Sequence, residues 1–211
     1  MGSLEVDTAV ERVEDDVFRA TLSPDWEIWG PMGGYVASVA LRAIGQVSAF
    51  DRPASFSCQY HGVAAFDTVQ VKITTLRSAR TAAAHRAEMS QDGKPILEAT
   101  VWSVGEVEGL EHDESTAPDV PAVADLKSVP ELMAEAGLEE TQPPFPFWNN
   151  LETRPVEFQT EWPPPGPLPP VWQQWCRFVP EASFPDPWLD ACRSLVLVDV
   201  QSWPAASRPH A

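Results

Sequence analysis

The chain has 211 residues, of which 44% are apolar, and its net charge is −17. That length allows one large or two small domains, and that apolar share permits a packed core and excludes wholesale disorder. The acidic balance argues against nucleic acid and anionic membrane as partners, because both demand basic patches.

The cysteines, Cys58, Cys176 and Cys192, are odd in number and widely spaced, without a CxxC pair. Neither a disulfide framework nor a metal site is implied, and no cofactor is expected. Residues 1–16 are acidic and lack an apolar signal core, and no apolar run approaches the ~18 residues of a membrane span. A cytoplasmic protein is the expectation.

Residues 16–22 (DVFRATL) predict a short strand in which Val17, Arg19 and Thr21 alternate with Phe18, Ala20 and Leu22. Ser23-Pro24-Asp25 breaks it. A helix follows over about residues 33–47, opened by Gly33-Gly34 and interrupted by only Ser38 and Arg42 as far as Ile44. A helix apolar nearly all round is a buried helix. Its glycine start allows backbone or ligand to approach closely.

Four strands are predicted next, over residues 54–63, 68–76, 81–90 and 94–105, with no helix between them. The second carries Val69, Val71 and Ile73 on one face against Gln70, Lys72 and Thr74. The last two are joined through Asp92-Gly93, a pair tolerant of positive φ and a strong hairpin signal. Strand, buried helix and antiparallel meander together predict an α+β unit whose sheet is covered by that helix.

Residues 106–152 turn acidic and proline-rich and read as a linker with one amphipathic helix at 123–136. Strands are then expected at 155–160 and 171–179, separated by the stiff loop Pro163-Pro164-Pro165-Gly166-Pro167. Asp186-Pro187 starts a second apolar helix, expected over 188–200. The order strand, apolar helix thus repeats, and in its second occurrence no meander follows before Ala211. The expectation is an N-terminal unit at 1–105, a linker at 106–152, and at 153–211 the first part of a second unit, in a chain read as a fragment.

The stretches GPMGGYVASVALRA (30–43), ASFSCQYHGVAAFDTVQVKITTLRSART (54–81), QDGKPILEATVWS (91–103) and SLVLVDVQSWP (194–204) resemble the TesB-like (type II) acyl-CoA thioesterases. The resemblance spans roughly residues 15–105 and 145–205. It implies a tandem double hotdog, each unit an antiparallel sheet wrapped around a long buried helix, with the second one incomplete in this chain. It implies acyl-CoA as substrate and a catalytic set of an Asp on the second helix with a Thr (or Ser) and a Gln on the strands after it. Asp199 matches that aspartate, and the positions of the other two would fall beyond Ala211.

Thioester hydrolysis needs a carboxylate to orient or activate water, and donors for the developing oxyanion. Asp199 interrupts the apolar run Leu195–Val200 near the expected helix end, so it is expected to be partly desolvated. The alternative is an aspartate that ends its helix and faces solvent. Gly33, Gly34 and the adjoining Tyr35 are the candidate substrate-binding residues, through backbone N–H groups at the helix start. The bland reading there is close packing of helix on sheet. The first helix carries no carboxylate, so the first unit reads as scaffold or as a wall of the acyl pocket.

Asp190, in a first helical turn, reads as structural. His61 and His85 read as sheet histidines. Arg77, Arg80, Arg86 and Lys94 form a basic cluster that suits either CoA phosphates or a solvated face. Two other functions compete: a non-catalytic acyl-binding or assembly module, and a hotdog hydratase or dehydratase. The latter pairs a His with an Asp five positions before it, and none of the four histidines has one. Open sheet edges also predict homo-oligomers.

Overall fold

In a computed structural model, which describes residues 1–138, 145–161 and 164–210, the chain begins with one helical turn, α1 (Leu4–Asp7). Then come β1 (Glu11–Glu14), β2 (Val17–Thr21), α2 (Gly33–Gly45), β3 (Arg52–Tyr60), β4 (Thr68–Ser78), β5 (Ala82–Gln91) and β6 (Lys94–Val104). The second half holds α3 (Val129–Ala136), β7 (Leu151–Pro155), β8 (Gln174–Phe178) and α4 (Pro187–Ser207). Trp162 and Pro163, the latter the start of the expected proline loop, lie outside the described residues.

The strands of the first half form one six-stranded antiparallel sheet in the order β1-β2-β4-β5-β6-β3. Alternation decides its faces. Val69, Val71 and Ile73 of β4, Ala83, His85, Ala87 and Met89 of β5, and Ala99 and Val101 of β6 are buried against α2. The alanine-rich stretch is a strand because its small side chains leave room for the helix lying across it. Asp92 and Gly93 take φ of 50° and 75°, the left-handed pair that a two-residue hairpin turn requires.

The all-round apolarity of α2 has two causes. One side lies on the sheet, and the other meets α4, which runs antiparallel to it. Small residues set the closeness of that crossing. A Cβ on Gly34 would stand 2.4 Å from the Leu195 carbonyl oxygen, and one on Gly45 would stand 2.9 Å from the Trp188 ring. Ser38 and Cys192 meet between these points, both fully buried. At the far end Arg42 pairs with Asp186 at 2.9 Å, the residue that also caps α4.

Several expectations need correction. Gly34 serves a helix–helix contact, not a helix–sheet one, while Gly33 lies against both Asp199 of α4 and Tyr60 of β3. The expected strand at 155–160 lies earlier, at β7, which pairs with β8 in a separate two-stranded sheet. The expected helix at 123–136 divides into a short 3-10 turn at Val123–Asp125 and α3. Ser128 and Glu131 box the start of α3, and Gly137 ends it at φ 68°. The acidic N-terminus forms α1 and β1, because Trp26 Nε1 donates to Asp7 Oδ2 and the Gly2 amide to Asn150 Oδ1.

His85 gives the core a pH dependence. It is 2% exposed, its Nδ1 meets Thr75 Oγ1 at 3.2 Å, and its Nε2 finds no partner among the described residues. Burial holds its pKa below the ordinary 6.5. The unfolded chain therefore takes up this proton before the folded one does. Stability is fully present above pH 6.5 and falls as pH drops below it, towards the folded pKa. The slope for one proton approaches ~1.4 kcal/mol per pH unit. Denaturant melts at pH 7.5, 6.5 and 5.5 should show this slope in the native protein and a flatter one in His85→Gln. Equal slopes would remove His85 from the account.

Candidate active site

Asp199 stands in the middle of α4, because Ala205, Ala206 and Ser207 carry the helix on through Pro204. It is thus not near a helix end as expected. Nor is it desolvated within the apolar run: it belongs to the exposed residues of the helix. What fixes it is the neighbouring helix. Asp199 Oδ2 accepts the Gly34 N–H at 2.9 Å. The first turn of α2 has no acidic residue of its own, so Asp199 supplies the carboxylate from across the helix pair. The open N–H groups and positive dipole end of α2 favour an anion there.

β3 forms the opposite wall. Phe56, Cys58 and Tyr60 share one face of this edge strand, as their alternation predicts. With Gly34 and Ala37 of α2 and Leu195, Val198, Asp199 and Ser202 of α4, they line a groove of about 290 Å³. Its sides are mainly apolar, with the Cys58 thiol and the Tyr60 and Ser202 hydroxyls among them, and its carboxylate lies where the three elements converge. Tyr60 Oη donates to the Gly33 carbonyl oxygen at 2.8 Å. A Cβ on Gly33 would lie 2.8 Å from Asp199 Oδ2 and 3.2 Å from Tyr60 Oη, so any side chain there would displace the ends of both groups.

The electrostatics follow from this crowding. Burial pushes the Tyr60 phenol well above its ordinary 10.0, with Cys58 and the Asp199 charge adding to the rise. Burial also pushes the Cys58 thiol up; the Tyr60 hydrogen bond opposes this and Asp199 reinforces it. Both groups are therefore neutral donors at neutral pH.

Of the expected site residues, the structure brings Gly33, Gly34 and Asp199 together. Tyr35 does not join them: its N–H donates to Met32 Sδ at 3.2 Å. Its side chain is fully buried and stacks on Trp26, with ring centroids 5.2 Å apart. Its hydroxyl accepts the Ser23 N–H and donates to the Asp7 carbonyl, and burial pushes its pKa up to about 12. It packs the core and turns away from the groove. Tyr60 is the residue that sequence reasoning passed over. The period-two pattern set it on one face with Phe56 and Cys58, and nothing local pointed that face at Asp199.

The remaining candidates separate cleanly. Asp190 accepts the Phe184 N–H and pairs with Arg193, whose hydrogen bonds hold its carboxyl below the usual range. The basic cluster is divided: Arg77 and Arg80 lie towards one end of β5 and Lys94 at the other, with Arg77 opposite Ala84 and Lys94 opposite Gln91, roughly 23 Å along the strand. Arg86 pairs with Glu88 at 3.4 Å. Larger clefts, of about 540 and 580 Å³, flank β7 and β8 but contain none of the converging groups. Among the described residues, no group of three or more His, Cys, Asp or Glu is placed to hold a metal ion. No described helix is long and apolar enough to cross a membrane.

Residues 22–104 match the family model of the acyl-CoA thioesterase N-terminal domain. Among solved structures, a conserved protein with a hot dog fold from Alicyclobacillus acidocaldarius is 20% identical, with a TM-score of 0.73 over 96% of this chain and 73% of that one. An acyl-CoA thioesterase II, TesB2, from Mycobacterium marinum is 18% identical, with a TM-score of 0.73 over 99% of this chain and 72% of its own. A tesB protein from Mycobacterium avium subs paratuberculosis is 21% identical, with a TM-score of 0.70 over 98% of this chain and 72% of that chain. No curated protein matches the chain. The fold is the hotdog fold: an antiparallel sheet wrapped around the buried helix α2.

Proposed function

We propose, from the premise that residues 22–104 match an acyl-CoA thioesterase N-terminal domain, that this protein hydrolyses acyl-CoA to free acid and CoA. In this reading Asp199 acts on the attacking water. The observation that supports it is the seat of the carboxylate. Asp199 is held by the Gly34 amide at 2.9 Å at the end of a groove with apolar walls. The acyl tail lies along Phe56, Ala37, Leu195 and Val198, and the thioester carbonyl comes up beside the carboxylate.

The chemistry is general-base hydrolysis. Asp199 takes a proton from water as its oxygen attacks the thioester carbonyl, and the tetrahedral intermediate then expels the CoA sulfur, which is protonated to the thiol. The bond to Gly34 aims one oxygen at the helix and so sets the direction of the other. Such fixed geometry is worth more than the base strength alone, because the reacting atoms must meet within roughly 3–3.5 Å. The protein is proposed to act in the cytoplasm without a cofactor, and to assemble through the open edges β1 and β3.

The direct test is release of CoA thiol, followed with a thiol-reactive chromophore across acyl-CoA chains of two to sixteen carbons. Turnover with any of them is the expected result. Acyl-CoA binding with no thiol release from any chain would overturn hydrolysis and leave a non-catalytic acyl-binding module.

A further inference from the structure

Gly33 and Gly34 share one peptide group, and that group is held from both ends. Tyr60 Oη donates to its carbonyl oxygen at 2.8 Å, and its N–H donates to Asp199 Oδ2 at 2.9 Å. The peptide is planar, so fixing the C=O direction fixes the N–H direction. A hydrogen bond accepted at the carbonyl also polarises the amide and makes its N–H a stronger donor.

The N–H side of this peptide has no acceptor within its own helix. It lies between two glycines, the residue with the widest backbone freedom, at a helix start where N–H groups lack intrahelical acceptors. Neither glycine offers a side chain to lock the plane. β3, by contrast, is tied along its length to β6, with Tyr60 opposite Leu97 and Cys58 opposite Ala99. Tyr60 therefore reaches the peptide from a rigid strand. Its hydroxyl remains a donor because burial, with Cys58 and Asp199 beside it, opposes ionisation.

We propose that Tyr60 is a positioning residue that acts through the Gly33–Gly34 peptide to orient the Asp199 carboxylate for reaction. The proposal rests on the reading that Asp199 acts on the thioester, and it assigns Tyr60 no contact with substrate. A purely structural Tyr60, pinning β3 to α2, would cost stability when cut and leave kcat alone.

The test is Tyr60→Phe, which keeps the ring and removes the hydroxyl. Expected is a fall in kcat of about tenfold, the equivalent of one intramolecular hydrogen bond, with KM within about twofold. A second readout needs no substrate: the Gly34 amide in ¹H–¹⁵N spectra. In the native protein its shift should lie downfield and should move on Asp199→Asn. In Tyr60→Phe it should move upfield and exchange faster with solvent. An unchanged kcat with a lowered melting temperature, or an unchanged Gly34 amide, would overturn the proposal. If the native protein releases no thiol, the reading of Asp199 falls, and the amide alone then decides whether Tyr60 holds the carboxylate.

Discussion

Asp199→Asn is expected to lower kcat for acyl-CoA hydrolysis by about 10²–10⁴-fold, the usual range for losing a positioned general base. Asparagine is the informative replacement. Its amide oxygen can still accept the Gly34 N–H that Asp199 Oδ2 accepts at 2.9 Å, so the link between the two helices survives. The side chain is exposed and matched in size, so no cavity opens and the melting temperature should stay within a degree or two. What is lost is basicity. Asp199→Ala should lose similar activity and in addition free the Gly34 amide. Thiol release and thermal melts on both variants separate chemistry from folding. Unchanged turnover in either would remove Asp199 from the mechanism.

Gly34→Ala is expected to be the most damaging single-methyl change in the chain. The added Cβ would stand 2.4 Å from the Leu195 carbonyl oxygen and 2.8 Å from Val196 Cα. Both are backbone atoms of α4, so no side chain can swing aside. The helices must part, and Ser38, Cys192 and the Arg42–Asp186 pair lie in the same interface. Overpacking of this kind costs about 3 kcal/mol. For a chain of this size that lowers the melting temperature by roughly 6–12 °C.

Gly33→Ala makes the contrast. There the added carbon meets only the ends of the Asp199 and Tyr60 side chains, at 2.8 and 3.2 Å. That variant should melt near the native temperature and lose activity, because the carboxylate is displaced while the helices remain. Neighbouring glycines thus divide the labour: Gly34 admits a helix and Gly33 admits the site. A Gly33→Ala variant that melts as low as Gly34→Ala would contradict this division.

Much of the first half was legible from residue order. Val69, Val71 and Ile73 alternate with polar residues, and that alternation alone set the buried face of β4. Asp92-Gly93 marked its turn through a backbone preference that needs no tertiary partner. Tyr35 shows the limit of residue order. Proximity in sequence to Gly34 suggested the groove, but successive helical residues point about 100° apart, and Tyr35 turns into the Trp26 stack. The second helix also runs past its expected end at residue 200, since α4 continues through Pro204 to Ser207.

The sequence by itself determined the buried helix and the meander around it, since periodicity and turn chemistry are properties of neighbours within a few residues; the carboxylate at Asp199 stood out through a family resemblance. Only the tertiary structure decided where that carboxylate sits. The bond from Gly34 to Asp199 closes a separation of 165 residues, and the bond from Tyr60 to Gly33 closes one of 27. No local pattern encodes such meetings. The first follows from the antiparallel crossing of α2 and α4, where Gly34 and Gly45 lack the side chains that would hold the helices apart, and the second from the end of β3 lying against the start of α2.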